Sequence, residues 1–194
     1  MHFSMTTATD FHYHPLIKPY ATAYSQVIAG ILGWRFISTD ELEQLVIRGG
    51  GSDRVALATE ALKKVHNNIT FSFRKSVLPL VAGSVDHHQL LSLVAQQFIG
   101  HCWEILKYNN FIPVPEKAGP VLEFCRHVRN GSYHGNHFFF ETGKPPFEAK
   151  WHDLDITANL QGKRVFRDSL KEKEYFLNYG DALYLLLDIS KLLN

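Results

Sequence analysis

At 194 residues the chain is long enough for one domain with a sizeable core of its own, and 45% apolar against 20% charged residues excludes a disordered chain. A formal net charge of +1 excludes a broad cationic coat, so any contact with RNA has to be local. Two cysteines, Cys102 and Cys125, each within an apolar helical pattern and outside any Cys-x-x-Cys, read as buried free thiols of a reducing compartment, with a disulfide between them as the alternative. The N-terminus lacks the basic start and apolar run of a signal peptide, and no stretch nears the roughly 18 apolar residues of a membrane span. The expectation is a soluble, cytoplasmic protein with no membrane partner.

In chain order, residues 1–18 read as an N-terminal tail and residues 19–194 as a single helical domain. Pro19 can open a helix that carries Tyr20, Tyr24, Val27, Ile28 and Ile31 at helical spacing and ends at Gly33. Ser38 and Glu41 suit a capping box for a short helix over 38–47, and the glycines at 49–51 break it. Ser52 suits the cap of the next helix, with Val55, Ala58, Leu62 and Val65 on one face. Ile69, Phe71 and Phe73 alternate as in a strand, although their flanks read as helix.

The clearest helix is expected over 85–108. Leu91, Val94, Phe98, Cys102 and Ile105 form one stripe that Leu90, Ile99, Trp103 and Leu106 widen, as in the central helix of a bundle. After a loop with Pro113 and Pro115, Pro120 opens a helix that turns Val121, Leu122, Cys125 and Val128 inward and is expected to end near Asn130-Gly131. The texture then changes to a β excursion over about 137–166. Phe138-Phe139-Phe140, Lys150-Trp151, a stretch over 154–157 and Arg164-Val165-Phe166 read as short strands, and a last helix over 181–193 follows Gly180. The fold class is mainly α, a helical bundle with a small β-hairpin or sheet insertion before its C-terminal helix.

The chemistry concentrates in Arg126-His127-Val128-Arg129-Asn130-Gly131-Ser132-Tyr133-His134-Gly135-Asn136-His137. Metal-independent RNA cleavage needs a base for the ribose 2′-OH, an acid for the departing 5′-oxygen, and a cation for the charge building on phosphorus oxygens. Histidine titrates near neutrality and suits the first two tasks; arginine grips phosphate bidentately and suits the third. Asn130 can orient either group by hydrogen bonding. One chain offers one such Arg–His pair, and a two-fold dimer would set a second His opposite the first. With 11 histidines and eight arginines in the chain, an Arg followed by His after four to six residues is expected about once by chance, so the spacing decides nothing alone.

Arg129-Asn130, three further residues and His134-Gly135, coming off an amphipathic helix, resemble the HEPN superfamily. An aromatic strand, Gly143-Lys144-Pro145, Ala149-Lys150-Trp151, Ile156, Leu160-Gln161-Gly162 and Gly180-Asp181-Ala182 are similar to one small bacterial HEPN family often borne on mobile elements, over roughly 85–194. The resemblance implies a HEPN-like bundle, a homodimer, and a metal-independent endoribonuclease of toxin–antitoxin, abortive-infection or other defence systems. Arg129 and His134 would be its catalytic pair, with Asn130 in support. Arg126, Tyr133, Asn136 and His137 are candidate substrate-binding residues, and an antitoxin or regulatory protein is a further partner. No cofactor or metal is implied. One toxin branch carries Tyr two residues after the His; this chain has Asn136 there, and Tyr133 precedes the His instead. The alternative is a non-catalytic HEPN module that binds RNA, a nucleotide or a protein.

Plainer readings stand beside these. Arg129 and His134 also suit a set of cations closing the last carbonyls of a helix. Arg126 and His127 read as helix surface, and His87-His88 as a solvated first turn. His134-x-x-His137 and His12-x-His14 have ligand spacing for zinc, but no Cys cluster or His-Glu-x-x-His accompanies them. Phe138-Phe139-Phe140 reads first as a strand over the core and second as a base-stacking platform.

Overall fold

The computed structural model describes residues 12–33, 54–56, 70–72, 86–114, 117–143, 145, 147–169 and 174–193. The protein is mainly helical with small antiparallel strand pairs. The chain divides into two compact units, one formed by residues 1–28 with 88–194 and the other by residues 29–87.

In the second unit, strands β1 (Arg54–Ala56) and β2 (Thr70–Ser72) pair antiparallel, with Val55 opposite Phe71. Phe71 of the alternating set therefore lies in a strand, while Ile69 and Phe73 lie outside the described residues. The helix expected from Ser52 is corrected at 54–56, where the backbone pairs with β2 and cannot also close helical hydrogen bonds. The short helix over 38–47, the glycines at 49–51 and the positions Ala58, Leu62 and Val65 lie outside the described residues.

The larger unit is built on α1 (Lys18–Gly33, up to Ile28), α2 (His87–Tyr108), α3 (Gly119–Tyr133) and α4 (Asp181–Leu192). Its core joins Ile17, Tyr24, Ile99, Leu106, Phe124, Val128, Leu185 and Ile189, one or more from each helix or its lead-in. Burial of such side chains, at about 25 cal/mol per Å² of apolar surface, is what holds helices of this length together. Of the expected tail over 1–18, residues 1–11 lie outside the described residues, and residues 12–18 pack against the helices. Tyr13 and Ile17 are buried, and the Tyr13 hydroxyl donates to the Leu183 carbonyl at 3.1 Å. Tyr24 stacks on Phe98 at 4.3 Å and donates to the Tyr179 carbonyl at 2.7 Å, fixing α1 to both α2 and the start of α4. His88 is buried rather than solvated, 6.0 Å from the Tyr179 ring. Cys102 and Cys125 are buried free thiols whose pKa values burial pushes up, to about 12 for Cys125.

α3 runs on to Tyr133, two residues beyond the expected stop at Asn130-Gly131. A glycine inside a helix costs about 1 kcal/mol against alanine, but here tertiary packing demands it. A Cβ on Gly131 would lie 2.5 Å from Val165 Cγ2 and 3.1 Å from the His137 carbonyl oxygen. The helix ends instead where Gly135 and Asn136 take consecutive left-handed conformations, at φ of 67° and 68°. Glycine adopts that region freely and asparagine tolerates it.

The β excursion is smaller than its sequence suggests. β3 (Lys150–Trp151) and β4 (Leu154–Asp155) form a hairpin, extended by the Ile156 N–H donating to the Ala149 carbonyl at 2.8 Å. Phe138-Phe139-Phe140 and Arg164-Val165-Phe166 are not ladder strands. They are tied by isolated bridges, His137 to Arg164 and Phe166 to Leu177, and by Phe138 exchanging hydrogen bonds with Lys163 and Gly162 at 2.8 Å. The Trp151 indole donates to Asp188 at 3.0 Å, pinning the hairpin to α4. No described helix is long and apolar enough to cross a membrane.

Candidate functional site

The C-terminal half of α3 and the chain that leaves it form a cleft of about 360 Å³. Arg126, His127, Asn130 and His134 line one wall, at positions that three- and four-residue steps bring onto one helical face. Phe139, Phe140, Glu141 and Thr142 line the other.

His134 is the C-cap of α3. Its backbone N–H donates to the Asn130 and Gly131 carbonyls, each at 3.1 Å, and the His137 N–H donates to the Gly131 carbonyl at 3.1 Å. Backbone donors therefore close these carbonyls, and the His134 side chain is left exposed against the Phe139 ring, 4.6 Å between centroids.

Arg129 does not line this cleft. Its guanidinium pairs with Glu104 of α2, donates to Asn130 Oδ1 at 3.1 Å and lies 4.5 Å over the Tyr133 ring. Its Nε is buried without a partner. Tyr133 can lie along α2 because Gly100 has no side chain; a Cβ there would come within 2.6 Å of the Tyr133 hydroxyl. Arg129, Asn130 and Tyr133 thus form a polar seam between α2 and α3 that meets the cleft at Asn130.

On the cleft side, Arg126 donates twice to Glu123, from Nε at 2.9 Å and from a terminal nitrogen at 2.5 Å. The same terminal nitrogen lies 3.1 Å from His127 Nε2. A guanidinium only donates, so Nε2 accepts and the imidazole proton sits on Nδ1, which is buried without a partner. Burial, with the Arg126 charge beside it, lowers the His127 pKa to about 4, so the ring is neutral at pH 7. His127 is 3% exposed, which corrects its reading as helix surface. The i+3 and i+4 spacing from Glu123 marked its pairing with Arg126 and its approach to His127, though not their burial; nothing marked Glu104, which lies 25 residues from Arg129.

Two expected substrate contacts have other tasks. Asn136 is buried; its amide accepts from the Phe166 N–H at 2.8 Å and donates to the Phe166 carbonyl at 2.7 Å, splinting the turn after α3. His137 sits beyond the cleft wall, its Nδ1 donating to the Gly135 carbonyl at 2.8 Å. Among the described residues, no group of three His, Cys, Asp or Glu side chains is gathered to hold a metal ion. No family model matches the chain, and no curated protein or solved structure matches it.

Proposed function

We propose that this chain is a HEPN-type, metal-independent endoribonuclease that works as a homodimer on cytoplasmic RNA, in a toxin or defence setting with an antitoxin or regulatory partner. The observation that carries the reading is His134, exposed at the rim of a cleft that also holds Arg126 and Asn130. A solvent-exposed imidazole and a guanidinium lining one cleft put a proton carrier and a phosphate-binding group on one surface.

In this reaction the base takes the 2′-OH proton, and the 2′-oxygen attacks the adjacent phosphorus. The 5′-oxygen leaves with a proton from the acid, giving a 2′,3′-cyclic phosphate and a 5′-hydroxyl. His134 serves one of the two proton transfers. His127 is a poor partner for the other, because Arg126 occupies its Nε2 and its Nδ1 is buried. The second imidazole is then His134 of a second copy, which is what a two-fold dimer supplies. Arg126 meets the phosphate, and Arg129, steadied by Asn130, adds charge from the edge.

One observation favours the second reading, a non-catalytic module that binds RNA, a nucleotide or a protein. Both guanidinium groups are paired, Arg126 with Glu123 and Arg129 with Glu104, and Arg129 lies outside the cleft lining, so the positive charge that cleavage requires is partly neutralised at rest. An RNA cleavage assay in EDTA, with end-group analysis of the products, separates the two. Cleavage by the wild type that His134→Ala and Arg129→Ala both lose, leaving cyclic phosphate ends, supports the nuclease. RNA binding without cleavage supports the module.

A further inference from the structure

Of the three consecutive phenylalanines, Phe138 and Phe140 are buried and only Phe139 leaves the core, at 48% exposed. Its ring rests against His134 at a tilt of 34°, at the cleft rim. An exposed ring beside a cleft is a surface on which an unstacked nucleobase can lie. Two residues on, Glu141 lines the same cleft, exposed and engaging no other described residue through a hydrogen bond or ion pair.

A carboxylate is out of place in a cleft meant only for phosphate, since it repels the anion that Arg126 attracts. It fits a base edge, because an ionised carboxylate only accepts hydrogen bonds. Of the four RNA bases, guanine alone presents two adjacent donors, N1–H and the N2 amine, that match two carboxylate oxygens. Adenine and cytosine set one amino group beside a ring acceptor, and uracil sets one N–H between two carbonyls.

We propose that the cleft is a guanine subsite: Phe139 stacks on the base and Glu141 accepts from its N1–H and N2 amine. The cleft volume of about 360 Å³ is of small-ligand size. This rests on the RNA reading above and names the base that reading leaves open. The guanine belongs to a single-stranded RNA; a free guanine nucleotide has the same base chemistry and is separated by the test.

The test is equilibrium binding, in EDTA and at fixed salt, of short uridine oligonucleotides bearing one central guanosine, inosine or adenosine. The central residue and its neighbours are 2′-O-methylated so that none can be cut. The guanosine oligonucleotide is expected to bind about 5- to 10-fold tighter than the adenosine one, with inosine, which lacks the N2 amine, between them. Glu141→Ala removes the preference. Phe139→Ala weakens every oligonucleotide about 5- to 10-fold and keeps the preference. Equal binding of guanosine and adenosine oligonucleotides by the wild type, or a preference that survives Glu141→Ala, overturns the proposal. Selective binding of GMP with no binding of RNA keeps the base subsite and assigns it to a free nucleotide. A preference without cleavage of unmodified RNA upholds the subsite and defeats the nuclease; cleavage without preference does the reverse. No binding of any oligonucleotide or of GMP overturns both.

Discussion

Arg129 and His134, only five positions apart, end in different surroundings. Arg129 is clamped to Glu104 across the α2–α3 seam, whereas His134 leans on Phe139 at the rim of the cleft. The two side chains of the motif therefore make separable predictions.

His134 is exposed, and the cap of α3 uses its backbone rather than its ring. His134→Ala is expected to lower RNA cleavage at least about 100-fold, the usual worth of a general acid or base, while thermal unfolding stays within about 0.5 kcal/mol of the wild type. Retained cleavage in a nuclease-free preparation would remove His134 from the mechanism.

The Glu104–Arg129 pair is substantially exposed on both sides, at 44% and 29%. Such pairs contribute less than about 1 kcal/mol to stability, so Glu104→Ala should scarcely change the melting temperature. It unmasks a guanidinium next to Asn130. RNA affinity at low salt should rise, and its dependence on salt should steepen by about one phosphate contact. An unchanged salt slope means that Arg129 does not reach the RNA.

Gly131 is a packing requirement in the middle of the motif. Gly131→Ala forces a methyl against Val165 and the His137 carbonyl and is expected to cost about 1–3 kcal/mol despite alanine's better helix propensity. Val165→Ala in the same chain opens the space, so the double variant should be less destabilised than the sum of the two. Additive losses in denaturant titrations would show that the contact with Val165 is not the cause.

Asn136 combines a left-handed backbone, at φ of 68°, with two hydrogen bonds to the backbone of Phe166. Asn136→Ala loses both bonds and keeps the strain, for roughly 2–4 kcal/mol. Asn136→Gly relieves the strain and should lose less. If alanine leaves stability intact but abolishes RNA binding, the residue is a substrate contact after all.

His127 sets a pH dependence. Its folded pKa, about 4, lies below the ordinary 6.5, so the unfolded chain binds the proton more tightly. The contribution of the neutral ring is complete above pH 6.5, falls between 6.5 and 4, and amounts to roughly 3 kcal/mol at its limit. His127→Gln keeps an acceptor for Arg126 and removes the titration. Its unfolding free energy should therefore fall more gently than the wild type's across that window, and parallel curves would place the proton uptake elsewhere.

The helices were legible because their signals are local. Pro19 and Gly33 bracket α1, the apolar stripe from Leu91 to Leu106 announces α2, and Gly180 precedes α4. Hydrophobic period and end signals act within a few residues, so the chain determines them alone. The concentration of cations, imidazoles and amides around Arg129 and His134 was legible on the same grounds. The tertiary structure decided what each of these side chains does. Whether Gly131 stops a helix or admits Val165, whether Arg129 is free or held by Glu104, and whether Asn136 faces a ligand or splints Phe166 all depend on residues 25 to 34 positions away. Pairing energies between such distant groups leave no trace in local pattern, because packing and desolvation fix them only once the helices have met. For the same reason Phe138-Phe139-Phe140 reads as a uniform strand in sequence, yet in the fold two rings are buried in the core and one, Phe139, is left exposed at the cleft rim.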